Sequence, residues 1–124
     1  MITLLSGRVH SVRADSLTVV TAGIGRRVHV TPQTAADVRH GQEVDLHTVL
    51  VVREDSLTLY GFAVEDERDL FETLQTISGI GPRLALAVLS VLSPDELRAA
   101  IAAGRSAGAW FRGSFSSEIR NMAA

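Results

Sequence analysis

Two hydrophobic periods divide the chain. Val44, Leu46, Thr48, Leu50 and Val52 alternate with Asp45, His47, Val49 and Val51, a step of two that relaxes into an apolar stretch and predicts a β-strand. Residues 16–22 and 26–30 are further β-branched runs. Turn-forming residues separate them at Ala14-Asp15, Gly23-Ile24-Gly25, His40-Gly41 and Glu54-Asp55-Ser56. That spacing predicts about five strands in roughly 60 residues, as in a small barrel or sandwich. A short helical turn fits residues 34–38.

After Gly61-Phe62 the step lengthens. From Glu65 onward Leu70, Phe71, Leu74 and Ile77 recur every three or four residues, which puts them on one helical face. A second helix is expected over about 82–92, with Leu84, Ala85, Val88, Leu89 and Leu92 buried. A third begins at Ser93-Pro94-Asp95-Glu96, where Ser93 is the N-cap, Pro94 the first helical residue and Glu96 the return half of a capping box. Gly104 is its expected stop. The stretch 104–124 follows neither period and reads as a poorly ordered tail. Its Trp110, Phe111 and Phe115, beside Arg105, Arg112 and Arg120, are either bases' stacking partners or the residues of a frayed end. The organisation is therefore an all-β domain over 1–62, a small helical domain over 63–103 and the divergent 104–124.

Composition narrows the function classes. A chain of 124 residues with 46% hydrophobic content can bury one good core or two small ones. With no cysteine, disulfides, thiolate nucleophiles and zinc–thiolate sites are excluded. The start carries no basic leader before an apolar run, and no stretch approaches the ~18 apolar residues of a membrane span, so a cytoplasmic protein without membrane association is expected. His10, His29, His40 and His47 are dispersed without ligand spacing, and no nucleophile–base set or P-loop is visible. No metal, cofactor or catalytic residue is therefore expected. The formal net charge of −2 runs against a nucleic-acid partner unless the basic groups gather on one face or the acidic groups have a task of their own.

The motif with the most chemistry is Ser78-Gly79-Ile80-Gly81-Pro82-Arg83, between two expected helices. Glycines on either side of one apolar residue permit a sharp turn with positive φ and let backbone N–H groups approach a ligand unobstructed. The helix that begins at Pro82 presents N–H groups without intrahelical acceptors and the positive end of its dipole, which suits a phosphate. Arg83 adds a cation and Ile80 pins the turn into the core. Contacts of that kind read the DNA backbone and not the bases. Gly-x-Gly is a weak pattern by itself, and a plain αα-corner with a glycine cap accounts for the spacing equally well.

Two longer segments decide between these readings. Residues 51–62, Val-Val-Arg-Glu-Asp-Ser-Leu-Thr-Leu-Tyr-Gly-Phe, and residues 78–87, Ser-Gly-Ile-Gly-Pro-Arg-Leu-Ala-Leu-Ala, resemble the bacterial Holliday junction protein family RuvA, as do residues 1–9 and the Gly23-Ile24-Gly25 turn. The resemblance covers roughly residues 1–103. It implies a β + α chain: an N-terminal five-stranded OB-type barrel followed by a small helical domain with one helix-hairpin-helix motif. It further implies a homotetramer or octamer that holds four-way junction DNA open, grips its arms by their phosphates through Ser78, Gly79, Ile80, Gly81, Pro82 and Arg83, and serves a RuvB-type ATPase motor in recombination and repair. In the family an acidic turn faces the junction centre and repels phosphates there; Glu54 and Asp55 occupy that place. Taken without the family, two carboxylates in a hairpin turn are ordinary solvated loop charges, or a nuclease pair. Arg53 either pairs with one of them or faces phosphate.

The departures from the family pattern matter as well. A second Gly-x-Gly turn and the motor-docking domain are not supplied after Gly104, and Gly25-Arg26-Arg27 replaces a glycine usually followed by an aromatic. The expectation is a truncated or frame-shifted member that keeps the barrel, the acidic turn and the first phosphate hairpin. The alternative is a vestigial oligomerisation module with weak DNA binding and no motor coupling.

Overall fold

The computed structural model describes residues 2–77 and 79–102. Ser78, the Gly104 stop and the aromatics and arginines of the 104–124 tail lie outside the described residues. The chain divides into two compact units, one ending at Arg68 and the other starting at Asp69.

The first unit is a closed five-stranded barrel. Its strands are β1 (Leu4–Val12), β2 (Ser16–Thr21), β3 (Ile24–His29), β4 (Glu43–Arg53) and β5 (Ser56–Phe62), with the short helix α1 (Pro32–Asp37) between β3 and β4. The order around the barrel is β1-β2-β3-β5-β4. All neighbours are antiparallel except β3 and β5, which meet in a short parallel pairing of Val28 with Leu59 and His29 with Tyr60. The expected period of two is visible in the burial: Leu5, Leu17, Val19, Val28, Val30, Leu46 and Leu59 form the core, joined by Ala35 of α1. Between barrel and sandwich, the closed barrel is the outcome.

The local deviations from the sequence reading have physical causes. Helix α1 starts at Pro32, before the expected residue 34, because Thr31 caps it: the Thr31 hydroxyl accepts from the Thr34 N–H at 3.3 Å, and Pro32 suits the first helical position. The β2–β3 turn is Ala22-Gly23, with φ of +52° and +79°, and not Gly23-Ile24-Gly25. Thr21 pairs with Ile24, so Ile24 and Gly25 already belong to β3. Positive φ at both central residues matches the twist of the flanking strands, which is why a two-residue hairpin accepts it even at an alanine.

Beyond the barrel come α2 (Glu65–Gln75), α3 (Pro82–Val91) and α4 (Pro94–Ala102). The first turn of α2 still belongs to the barrel unit: the Arg68 guanidinium donates to the Thr3 carbonyl at 3.1 Å and to the Glu65 carboxylate at 3.1 Å. Leu70, Phe71 and Leu74 are buried as expected, and Ile77, past the helix end, is half-buried. On α3 the buried positions are Pro82, Ala85, Ala87, Val88 and Leu89, with Leu92 as buried C-cap. Leu84, expected among them, is only half-buried, and Ala87, which lies beyond Leu84 on the same side of the helix, is buried, so the covered surface is wider than one stripe. The capping box at α4 is formed in both directions: Ser93 N–H donates to the Glu96 carboxylate at 3.1 Å and Glu96 N–H to the Ser93 hydroxyl at 3.2 Å. No described helix is long and apolar enough to cross a membrane.

Gly7 marks the tightest backbone approach in the barrel wall. A Cβ there would sit 2.5 Å from the Val20 carbonyl oxygen and 2.6 Å from the Thr21 hydroxyl, which itself donates to the Ser6 carbonyl at 2.7 Å. Because the first obstacle is backbone, Gly7→Ala should destabilise the barrel by about 1–3 kcal/mol, the range for overpacking. Urea denaturation followed by far-UV circular dichroism measures it, and an unchanged midpoint would contradict the close approach.

Candidate nucleic-acid interface

The helical hairpin is built by tightening one helix end and opening the next. At the close of α2 the Thr76 and Ile77 N–H groups donate to Thr73 and Leu74 carbonyls at 3.0 and 3.1 Å, three residues back instead of four. Gly79 then takes φ of +85°, in the left-handed region where a side chain is strained. Ile80 folds inward, 5% exposed, and its N–H donates back to the Ile77 carbonyl at 3.1 Å. Gly81 is extended at φ −92° and ψ −177° and acts as the N-cap residue of α3 without a side chain. Its carbonyl accepts from Ala85 N–H at 2.9 Å, which starts the helix.

The two glycines thus do different work: of the pair, only Gly79 takes the positive φ that the spacing permits. Gly79 makes the turn. Gly81 has an ordinary backbone, and a Cβ added there would meet nothing within 4 Å, so neither conformation nor internal packing calls for glycine. What remains is an unobstructed backbone facing outward. The N–H groups of Gly81, Arg83 and Leu84 find no acceptor among the described residues, whereas that of Ile80 is already used within the turn. Pro82 is buried at the first helical position, and Arg83 is exposed with no ion pair to any described residue. Three donors without an acceptor among the described residues, the positive end of a helix dipole and one exposed guanidinium are the kinds of group that suit an anion.

The acidic turn sits at the end of the barrel's longest hairpin. Arg53 pairs with Ser56, leaving Glu54 and Asp55 as an exposed two-residue tip. Neither carboxylate pairs with Arg53 or any other described cation, so of the two options for Arg53 the internal ion pair is not formed. Just behind the tip, Val52 and Leu57 face each other across the two strands and are the most exposed large apolar side chains among the described residues, at 67% and 71%. Their exposure could not be read from the sequence, where both continue the core alternation. The hairpin simply outruns the barrel that its inner face would otherwise line.

Two of the dispersed histidines do meet: the rings of His10 and His40 lie 6.1 Å apart, and His29 lies 5.6 Å from Tyr60. No group of three or more metal-capable side chains occurs among the described residues. Burial raises the Glu67 carboxyl above its ordinary value; Glu67 lies in the first turn of α2 and is part of neither the Gly79–Gly81 turn nor the Glu54-Asp55 tip.

Comparison with known proteins places these parts in context. Residues 1–61 match the family model described as the RuvA N terminal domain, and residues 71–105 match a SAM-like helix-hairpin-helix tandem. The chain is 58% identical over 102 residues to the Holliday junction branch migration complex subunit RuvA of Beutenbergia cavernae, covering 82% of this chain and 51% of that protein. Identity is 60% over 102 residues with the subunit of the same name from Thermobifida fusca, covering 82% and 50%. With that of Streptomyces griseus it is 55% over 104 residues, covering 84% and 50%. The chain spans about half the length of these curated relatives.

The division of labour between the glycines is measurable in stability. Gly79→Ala should cost about 1–3 kcal/mol for a left-handed non-glycine residue. Gly81→Ala should stay within about 0.5 kcal/mol of the parent, as an open surface position does. Thermal melts of both variants distinguish them, and equal losses would reject the assignment.

Proposed function

Since the chain belongs to the RuvA family, we propose that it binds four-way junction DNA without reading sequence, as a non-catalytic subunit of a branch-migration complex. One observation carries this reading: α3 begins with N–H groups that have no acceptor among the described residues, behind a Gly81 whose missing side chain serves nothing inside the described fold, beside an Arg83 that makes no ion pair with a described residue. A phosphate completes all three. In this reading Gly79 shapes the turn, Ile80 anchors it, Pro82 sets the helix start, and the N–H groups of Gly81, Arg83 and Leu84 hold the backbone of a DNA arm. Ser78 enters only by its place in the motif.

One such receptor is a modest grip, so the reading includes repetition. In a homotetramer four hairpins would hold four arms, and four Glu54-Asp55 tips would gather eight carboxylates around one axis. Phosphates approaching that axis meet mounting repulsion, and strands are thereby kept apart at the crossover. The chain's own residues supply binding and electrostatic steering; the ATP-driven movement belongs to a separate motor of the RuvB type.

Gel-shift titrations of a four-way junction and of a linear duplex of equal length test the proposal. The junction is expected to bind more tightly, with affinity falling steeply as salt rises. Arg83→Ala should reduce the log–log salt slope by about one, the loss of a single phosphate contact. Gly81→Asp should weaken every DNA form more than Arg83→Ala does, by placing a carboxylate where the phosphate sits. Glu54→Gln with Asp55→Asn should instead raise affinity while narrowing the preference for the junction over the duplex. Equal affinity of the parent chain for both DNA forms would reject junction selectivity.

A further inference from the structure

Residues 1–31 hold four arginines, Arg8, Arg13, Arg26 and Arg27, against a single carboxylate, Asp15, in a chain whose net charge is −2. This surplus falls on β1, on β3 and on the turn joining β1 to β2, with β2 itself uncharged between the two strands. Strand alternation decides which arginines leave the barrel. Val9 and Val19 oppose each other and are fully buried, so their neighbours Arg8 and Val20, also opposed, face outward. Leu17 and Val28 are likewise an opposed buried pair, so Thr18 and Arg27 face outward beside them. Arg8 and Arg27 are both exposed, and neither makes an ion pair with a described residue.

The strand register fixes their separation. Arg8 opposes Val20, Val20 opposes Gly25, and Arg27 stands two residues along from Gly25 on the same strand. Two strand spacings across and two residues along put their Cα atoms roughly 12 Å apart. That separation is comparable to the width of a B-DNA major groove, about 12 Å, where two cations meet phosphates of both strands.

We propose that the outer face of β1–β2–β3 is a second DNA contact, distinct from the α2–α3 turn, at which Arg8 and Arg27 hold phosphates on the two strands of a duplex arm. This rests on the chain being a DNA binder, as proposed above. A duplex is favoured over a single strand because residues 1–31 contain no phenylalanine, tyrosine or tryptophan on which unpaired bases could stack, and the nearby Tyr60 is buried. The β2–β3 face is also where OB-type barrels engage nucleic acid generally. Glu43, which opposes Arg8 from β4 and lines the same shallow hollow with Gly7, Val20 and Thr21, tempers the site.

Fluorescence anisotropy of the full chain with a labelled duplex, a four-way junction and a single strand of equal length, over a salt series, tests this. The double variant Arg8→Ser with Arg27→Ser should lower the duplex salt slope by about two, one unit for each lost phosphate contact. Glu43→Gln should tighten duplex binding at low salt. Both changes lie on exposed positions, and matched thermal melts check that the barrel is intact; Arg8→Lys with Arg27→Lys, which retains both charges, should keep the slope. An unaltered slope in the serine variant, while Arg83→Ala still reduces it, would overturn the second contact and leave the proposed function standing. A larger loss for the single strand than for the duplex would overturn the choice of ligand. Failure of the parent chain to bind any DNA would overturn both readings together.

Discussion

The barrel depends on one short closure. Four of its five strand pairings are antiparallel and run between long, well-matched partners, but the cylinder is completed only where β3 meets β5 through Val28 with Leu59 and His29 with Tyr60. With that contact made, no strand is left with an unpaired edge, and the hydrophobic side chains of all five are directed to one interior. It also frees the hairpins to project. β4 and β5 continue past the wall, and their turn carries Glu54 and Asp55 into solvent on a two-stranded arm with regular pairing down to Arg53 and Ser56. A charged tip of this kind is positioned by the barrel without weakening it.

The helical turn follows a different logic, in which conformation and exposure are separated between adjacent positions. Gly79 absorbs the backbone strain, Ile80 spends its N–H and its side chain on the protein, and Gly81 keeps both its backbone and its surroundings open. The result is a turn whose shape comes from one residue and whose access comes from another. The predicted weight of each can therefore be tested separately, which a motif of two equivalent glycines would not allow.

Much of this was legible in the residues. Alternation marked β4 and β2, the three- to four-residue step marked α2 and α3, and Ser93-Pro94-Asp95-Glu96 specified a capping box that the structure contains in both halves. What escaped has a common cause: it depends on where the chain is in space. Ala22 takes a left-handed conformation because two twisted strands must be joined by two residues, and alanine carries no mark of that. Val52 and Leu57 carry the same pattern as Leu50 and Leu59, and only the height of the barrel leaves one pair outside. The arginines of β1 and β3 are scattered in sequence and become neighbours only through the register across β2. The negative net charge counts against a nucleic-acid partner only as an average over the chain: four of the twelve basic residues fall within residues 1–31, against one carboxylate there.

The order of strands also bears on how the chain is made. β1 pairs on one side with β2, which follows it immediately, and on the other with β4, so that Leu4 waits for His47 and Leu5 for Leu46. Pairings of such long sequence separation form slowly, because loop entropy must be lost before any contact rewards it. In chain order the first three strands form a meander whose β1 has its β4 side still uncovered, and α2, α3 and α4 follow only after β5. Until β4 is present, the edge of β1 that it covers has no partner within the chain, and an uncovered strand edge is the kind of surface that pairs with another chain.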